Sequence, residues 1–355
     1  MATHWCDLNK EVDMVTTIGI DPHKATHTAV AINETETVLG ELTVPADRSQ
    51  TKTLLDWAQN LDGGGRVWAV EAAGGLGYLL SQQLVANGEH VVDVPPVLAS
   101  RVRLLGSGRS DKNDPNDARS VAIAALRQPG LAVVRPEDHT QVLRMLAKRH
   151  LELTGLRTQA ACRLHSVLVL LRPGGLQPRL SATKACRMLQ GMRSLDPIGE
   201  QRRTMARTHL GDIRRLDREI KANKVLISKA VATSGTTVTD VYGVGPVVAA
   251  FLIGYTGDIG RFASANHYAA YNGTAPIEVS SGGKKRHRLS MRGNRMLNHA
   301  IHMAAVTQIR HSDTPGRNYY DKKQAEGKTK KEALRALKRR ISDTVYQQLI
   351  TDHQG

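Results

Sequence analysis

Four carboxylates in the first third of the chain stand where phosphate chemistry would need them. Asp21 ends the apolar run "VTTIGID", and Glu71 ends "RVWAVE". Asp114 and Asp117 lie three apart in "DKNDPNDARSVA", at the start of a predicted helix, so both face one side of its first turn. Acids at strand ends and at a helix start can converge on one end of a sheet. Massed carboxylates repel one another unless cations neutralise them. Oxygen ligands suit Mg²⁺ or Mn²⁺, and two such ions ~4 Å apart would stabilise an in-line phosphodiester displacement. Each acid also has a plainer reading: Asp21 before Pro22 as turn punctuation, Glu71 as a polar strand end, Asp114 and Asp117 as helix caps. The four together, in this order, favour the metal site. Asp111 is a nearby fifth acid and reads as a loop residue.

The elements that must position these acids are legible as runs. "VTTIGID", "THTAVAI" and "TVLGELTVP" predict three strands. "DRSQTKTLLDWAQNL" has helical spacing with Asp47 as the expected N-cap. A strand "RVWAVE", a turn "AAGGLG", a helix "YLLSQQLVANG" closed by Gly88 and a strand "HVVDVP" follow. A further helix, a Gly/Ser break and a helix opened by Pro115 complete the domain, expected over 15–132 after an N-terminal tail at 1–14. Three strands in a meander followed by alternating helices and strands is the order of a ribonuclease-H-like domain, a mixed sheet with flanking helices. Sugar kinases and actin-like ATPases also open with an Ile-Gly-Ile-Asp run. They require small, glycine-rich residues after the Asp to cradle phosphates, where this chain has Pro22-His23-Lys24.

Residues 139–232 change character. Apolar positions Val142, Leu146, Leu153, Leu156, Ala160, Leu164, Val167 and Leu171 keep 3–4 spacing, and Leu210, Ile213, Leu216, Ile220 and Ile227 mark a second long helix. An antiparallel hairpin and an intersubunit coiled coil both fit. A third, mostly helical unit is expected over 236–350. In it Gly243 and Gly245 precede an apolar helix, as in a helix-hairpin-helix turn whose backbone N–H groups approach a nucleic-acid phosphate. "APIEVSSGGKKRHRLSMRGNRMLNHAIHMAAV" then presents two serines, a Gly pair and a basic run. Ser281 beside Lys284, Lys285, Arg286 and Arg288 fits a serine nucleophile with cations to hold a phosphate, or an ordinary Ser-Gly loop beside a nucleic-acid patch. The tail from Asn318 is basic and helical.

Composition sets the class of partner. The chain has 355 residues and carries 49 Lys+Arg against 33 Asp+Glu, a net +16 that points to a polyanion, nucleic acid before membrane. Residues 1–130 hold 11 basic and 16 acidic residues, net −5, so the remaining residues carry net +21. Three cysteines far apart indicate neither a zinc site nor a disulfide framework. No signal peptide and no long apolar segment is evident, so a cytoplasmic, nucleoid-associated protein without membrane attachment is expected.

"GIDPHK", "VEAAGG", "KNDPNDA", "GVGP", "APIEVSSGG" and "RGNRMLNHAIHMAA", in order from about residue 15 to 350, together resemble the DEDD transposases of the "insertion sequence one-ten" family, also described as bridge-RNA-guided recombinases. The resemblance implies a RuvC-like N-terminal domain with Asp21, Glu71, Asp114 and Asp117 as its acidic quartet. It further implies a coiled-coil middle and a C-terminal transposase domain with Ser281 as nucleophile, Ser280 being the alternative. Donor and target DNA, a structured guide RNA from the element's own noncoding end, and a homo-oligomer (dimer or tetramer) are the implied partners. Many relatives carry Ile-Ser-Lys before the Gly-Asn where this chain has Leu289-Ser290-Met291 and then Arg292-Gly293-Asn294; this departure leaves the phosphate contact of that Lys open, with Arg292, beside Asn294, as the candidate replacement. The rival functions are a plain metal-dependent nuclease or junction resolvase, and a non-catalytic nucleic-acid-binding protein.

Overall fold

The computed structural model describes residues 15–61, 65–107, 114–172, 181–192, 196–281, 284–288 and 293–354. Two compact units divide at residue 137, Met1–Glu137 and Asp138–Gly355.

The first unit is built on a six-stranded mixed sheet of order β3-β2-β1-β4-β5-β6. Strands β1 (Val15–Pro22), β2 (Thr26–Ile32) and β3 (Val38–Pro45) form the antiparallel meander that the runs predict. β4 (Gly65–Glu71) and β5 (Val91–Val94) add in parallel, and the short β6 (Ala132–Val133) closes the edge antiparallel. Near-continuous apolar runs in β1 and β2 reflect burial on both faces. On one face Ile18, Ile20, Trp68 and Val70 pack on Leu54 and Ala58 of α1 (Gln50–Gln59) and Leu80 and Leu84 of α2 (Tyr78–Ala86). On the other, Val30, Ala69 and Val94 meet α3 (Pro96–Ser107) and α4 (Asp114–Arg127).

Asp47 does not cap α1. Its Oδ1 accepts from the N–H and hydroxyl of Ser49 at 2.8 and 2.7 Å, a local Asx turn, and Ser49 holds the N-cap position. Gly88 ends α2 as expected, at φ +82.

In the second unit α5 (His139–Val169) and α7 (Pro197–Thr233) pack as an antiparallel pair within one chain, with α6 (Ala182–Gln190) against their far end. Asn223 Nδ2 donates to the Leu146 carbonyl, and Arg149 and Arg157 pair with Glu219 and Asp217. The buried stripe of α5 is not the one its spacing suggests at the N-terminal end. Leu143 and Ala147 are buried, while Val142 and Leu156 face outward at 46% and 47% exposure. That end of α5 joins a larger core, pressed on α8 (Pro246–Thr256), which shifts the buried face by one position.

The same core takes in Leu297, Ile301 and Ala304 of α10 (Arg295–Arg310) and Leu337, Ile341 and Val345 of α12 (Lys330–Gln354). The basic tail is therefore two helices, α11 (Pro315–Ala325) and α12, separated by Gly327 at φ +86, and α12 is half core. Between α9 (Ala265–Tyr271) and α10 the chain forms a β-hairpin, β7 (Ile277–Ser281) and β8 (Lys284–Arg288), that the sequence reading does not anticipate.

Candidate metal centre

Asp21 sits at the C-terminal end of β1, one residue past the Ile20–Val70 pairing with parallel β4, so Glu71 emerges at the same sheet edge beside it. Helix α4 brings the other two acids to that edge because β1 has no side chain at Gly19. A Cβ there would lie 2.1 Å from the Ala118 carbonyl oxygen and 2.5 Å from the Ala122 nitrogen. Helix backbone thus rests directly on strand backbone, and the first turn of α4, with Asp114 and Asp117, overhangs the end of β1. Directly after Glu71 the chain turns sharply at Ala72, φ +48, a left-handed conformation that costs a non-glycine residue about 1 kcal/mol. Ala73 N–H donates to Asp93 Oδ1 at 2.8 Å, and Gly77 lets the glycine-rich turn fold close to Val70 and Pro22.

Asp21 is 7% exposed, Glu71 and Asp117 are half-buried, and Asp114 is exposed. Burial pushes the Asp21 carboxyl above its ordinary value; the His23 imidazole opposes this, and Asp117 and Asp114 reinforce it. Burial likewise raises Glu71, with Asp21 and then Asp117 adding to the rise. Asp21 thus feels the charges of Asp117 and Asp114, and Glu71 those of Asp21 and Asp117, the condition that makes a cation favourable there.

Two residues complete the cluster that sequence reasoning does not single out. His23 Nδ1 lies 3.9 Å from Asp21 Oδ2, and Asp21, His23 and Asp114 can each offer an atom within 4.8 Å of the others. Arg103, from α3, places Nη1 2.6 Å from Asp117 Oδ1. The signal for His23 is its place two residues past a strand-end Asp. Arg103 has none, since only tertiary packing brings α3 to the first turn of α4. Asp111 lies outside the described residues.

The remaining site candidates belong to the second unit. Ser281 ends β7 opposite Lys284, Ser280 pairs with Lys285, and Arg286 and Arg288 face Val279 and Ile277 across the hairpin. Arg292 lies outside the described residues. Asn294 is the N-cap of α10, accepting from the N–H groups of Met296 and Leu297. Gly243, φ +86, packs so closely on α10 that a Cβ would lie 2.8 Å from the Ala304 carbonyl oxygen, and Gly245 caps α8. Contact between helices is thus a sufficient reason for the first of these glycines.

A sheet end with Asp21, Glu71, Asp114 and Asp117 beside it, in a chain whose remainder is strongly basic, fits a protein that acts on nucleic acid. A family model described as Transposase, that of the IS110 DEDD transposases, matches residues 18–173, and a second, described as Transposase IS116/IS110/IS902 family, matches 235–321. The chain belongs to the IS110 family of insertion-sequence transposases. It is 27% identical to the uncharacterized 44.8 kDa protein of insertion element IS116 of Streptomyces clavuligerus, over 94% of each chain. To the uncharacterized 42 kDa protein of insertion element IS900 of Mycobacterium paratuberculosis it is 28% identical, over 94% of this chain and 95% of the other. No helix among the described residues is long and apolar enough to cross a membrane.

Proposed function

We propose that this transposase cuts and exchanges DNA strands with a serine nucleophile, Ser281, assisted by divalent cations held at Asp21, Glu71, Asp114 and Asp117. The observation that carries this reading is the convergence of the four acids at one end of the β1–β4 sheet, two of them with raised carboxyl pKa values. The sheet order, with a three-strand antiparallel meander joined to parallel β4 and β5, supports a ribonuclease-H-like, RuvC-like domain. Carboxylate oxygens with one imidazole beside them fit Mg²⁺ or Mn²⁺. Bound there, such an ion would stabilise charge developing on a phosphodiester. Arg103 orients Asp117 by their ion pair, and His23 favours ionisation of Asp21.

In the proposed step the Ser281 oxygen bonds to phosphorus as its hydroxyl proton leaves to solvent or a base. The bond from phosphorus to the leaving deoxyribose oxygen breaks, and that oxygen is protonated. A hydroxyl from the other strand then reverses the step on the new junction, so bond count is conserved and exchange needs no external energy source. The run from Lys284 to Arg288 supplies cations beside Ser281 along the chain. Net +21 beyond residue 130, together with the family resemblance, supports binding of both donor and target DNA and a structured guide RNA from the element.

The test is to trap the protein–DNA adduct under denaturing conditions and map it. Ser281→Ala should abolish the adduct, whereas Ser280→Ala and Ser290→Ala should retain it. An adduct that survives Ser281→Ala and disappears with another serine reassigns the nucleophile, and cleavage with no adduct in any variant favours a plain nuclease.

A further inference from the structure

The segment carrying β7 and β8 springs from one closed root. The Asn294 N–H donates to the Tyr271 carbonyl at 2.6 Å, and a Cβ on Gly293 would lie 2.6 Å from Gly273 Cα. Side chains from several elements gather at this root around Tyr271. Asn294 Nδ2 donates to the Tyr271 hydroxyl at 3.2 Å. The Arg261 guanidinium stacks over the rings of Phe262 and Tyr271, 4.4 and 4.5 Å from their centroids, and donates to the Thr256 carbonyl. Arg144 of α5 lies over the Tyr255 ring at 5.3 Å, and its charge also reaches Tyr271. Gly254 fixes that approach, since a Cβ there would lie 2.5 Å from the Arg144 backbone nitrogen.

Donors dominate the cluster. Arg144 and Arg261 are exposed, and among the described residues neither meets a carboxylate. Among the described residues the hydrogen bond that reaches the Tyr271 hydroxyl is donated to it, by Asn294, so the hydroxyl can give its own proton to an acceptor. Two guanidiniums, a phenol O–H and an amide are the groups that recognise a phosphate in nucleic-acid interfaces. We propose that Arg144, Arg261, Tyr271 and Asn294 form a binding site for a backbone phosphodiester at the root of the serine hairpin. The proposal rests on the reading above only in taking nucleic acid as the partner.

Its place in the fold separates it from bond making. Ser281 is at the far end of β7, and the four steps from Ile277 to Ser281 span ~13 Å at the rise of a strand. The root therefore grips a phosphate flanking the one that Ser281 meets, positioning the strand and not reacting with it. Electrostatics agree with a site for an anion. Burial raises the Tyr271 phenol, but the hydrogen bond from Asn294 and the guanidiniums of Arg261 and Arg144 outweigh it and hold the phenol below its ordinary value.

The experiment measures binding of the full chain, in EDTA so that no strand is cut, to a labelled duplex of the element end and separately to a labelled structured RNA, as salt is varied. Arg144→Gln and Arg261→Gln should each weaken binding about tenfold at low salt and reduce the slope of log affinity against log salt by about one. Tyr271→Phe keeps the ring under Arg261 and should weaken binding several-fold with an unchanged melting temperature. A loss confined to the duplex assigns the phosphate to DNA, and one confined to RNA assigns it to RNA; either supports the site. Unchanged affinity and slope for both nucleic acids in folded Arg144→Gln and Tyr271→Phe proteins would overturn it, as would a wild-type chain that binds neither. Because cleavage is not read, failure here leaves the metal and serine chemistry standing, and failure of that chemistry leaves this site standing.

Discussion

At Asp21 a buried carboxylate is held beside Asp114, Asp117 and Glu71, and among the described residues His23 and Arg103 offset the charge. Its folded pKa lies above the ordinary 3.8, so the folded state keeps the proton to higher pH than the unfolded chain does. Stability is therefore lost as pH rises from the unfolded value through the folded one, and the penalty persists at neutral pH. Asp21→Asn removes it. In EDTA at pH 7 the variant should melt about 2–4 °C above wild type, the gain falling away below about pH 4. Addition of Mg²⁺ should raise the melting temperature of wild type only. Melting curves at the two pH values check this, and a less stable metal-free variant at pH 7 would contradict the electrostatic picture. These acids were legible from type and spacing alone, because strand ends and a helix start leave few directions for a short side chain. His23 and Arg103 were not, since their roles depend on a bend after β1 and on where α3 packs. Asp47 misled because an Asx turn and an N-cap use the same side-chain chemistry, here two residues apart.

Elements carry the acids, and the contact between α4 and β1 is the one on which the cluster depends. Gly19→Ala forces a methyl group into the backbone of α4 and should destabilise the first unit by about 2–3 kcal/mol, with loss of metal-dependent stabilisation. Chemical denaturation with and without Mg²⁺ reads both effects. The stripe of α5 offers a second test. Leu143→Ala should cost about 2–4 kcal/mol and Val142→Ala less than about 0.5, since Leu143 is 1% exposed and Val142 46%. Equal costs would mean that the helix is rotated from its described face. The strand and helix order of the first unit followed from apolar runs bounded by turn residues. The β7–β8 hairpin escaped because "KKRHR" has no apolar alternation and reads as a charged surface. Gly282-Gly283 between two five-residue strands is the turn signal that marks it.

For the whole molecule, charge separates a net −5 in residues 1–130 from +21 beyond them. Affinity of the full chain for DNA should therefore fall steeply with salt, as neutralised phosphates release counterions, and salt-insensitive binding would contradict a phosphate-dominated interface. We also propose that the protein works as a homo-oligomer. Mixing Asp21→Asn with Ser281→Ala protein should then restore measurable cleavage, because one chain's acids and another's serine serve the same reaction. Complete inactivity at every ratio, with mixed oligomers shown to form, counts against that sharing. The central claim is that the acids at the end of β1 and β4 hold the cations for strand cleavage. It is tested most directly by measuring cleavage of element-end DNA by purified wild-type and Asp21→Asn protein, with and without RNA transcribed from the element's noncoding end, over a titration of Mg²⁺. Wild type should cut only with the ion present, and Asp21→Asn should be slower by at least about a hundredfold with DNA binding intact. Cleavage by Asp21→Asn at near wild-type rate, or cleavage by wild type in EDTA, would contradict it.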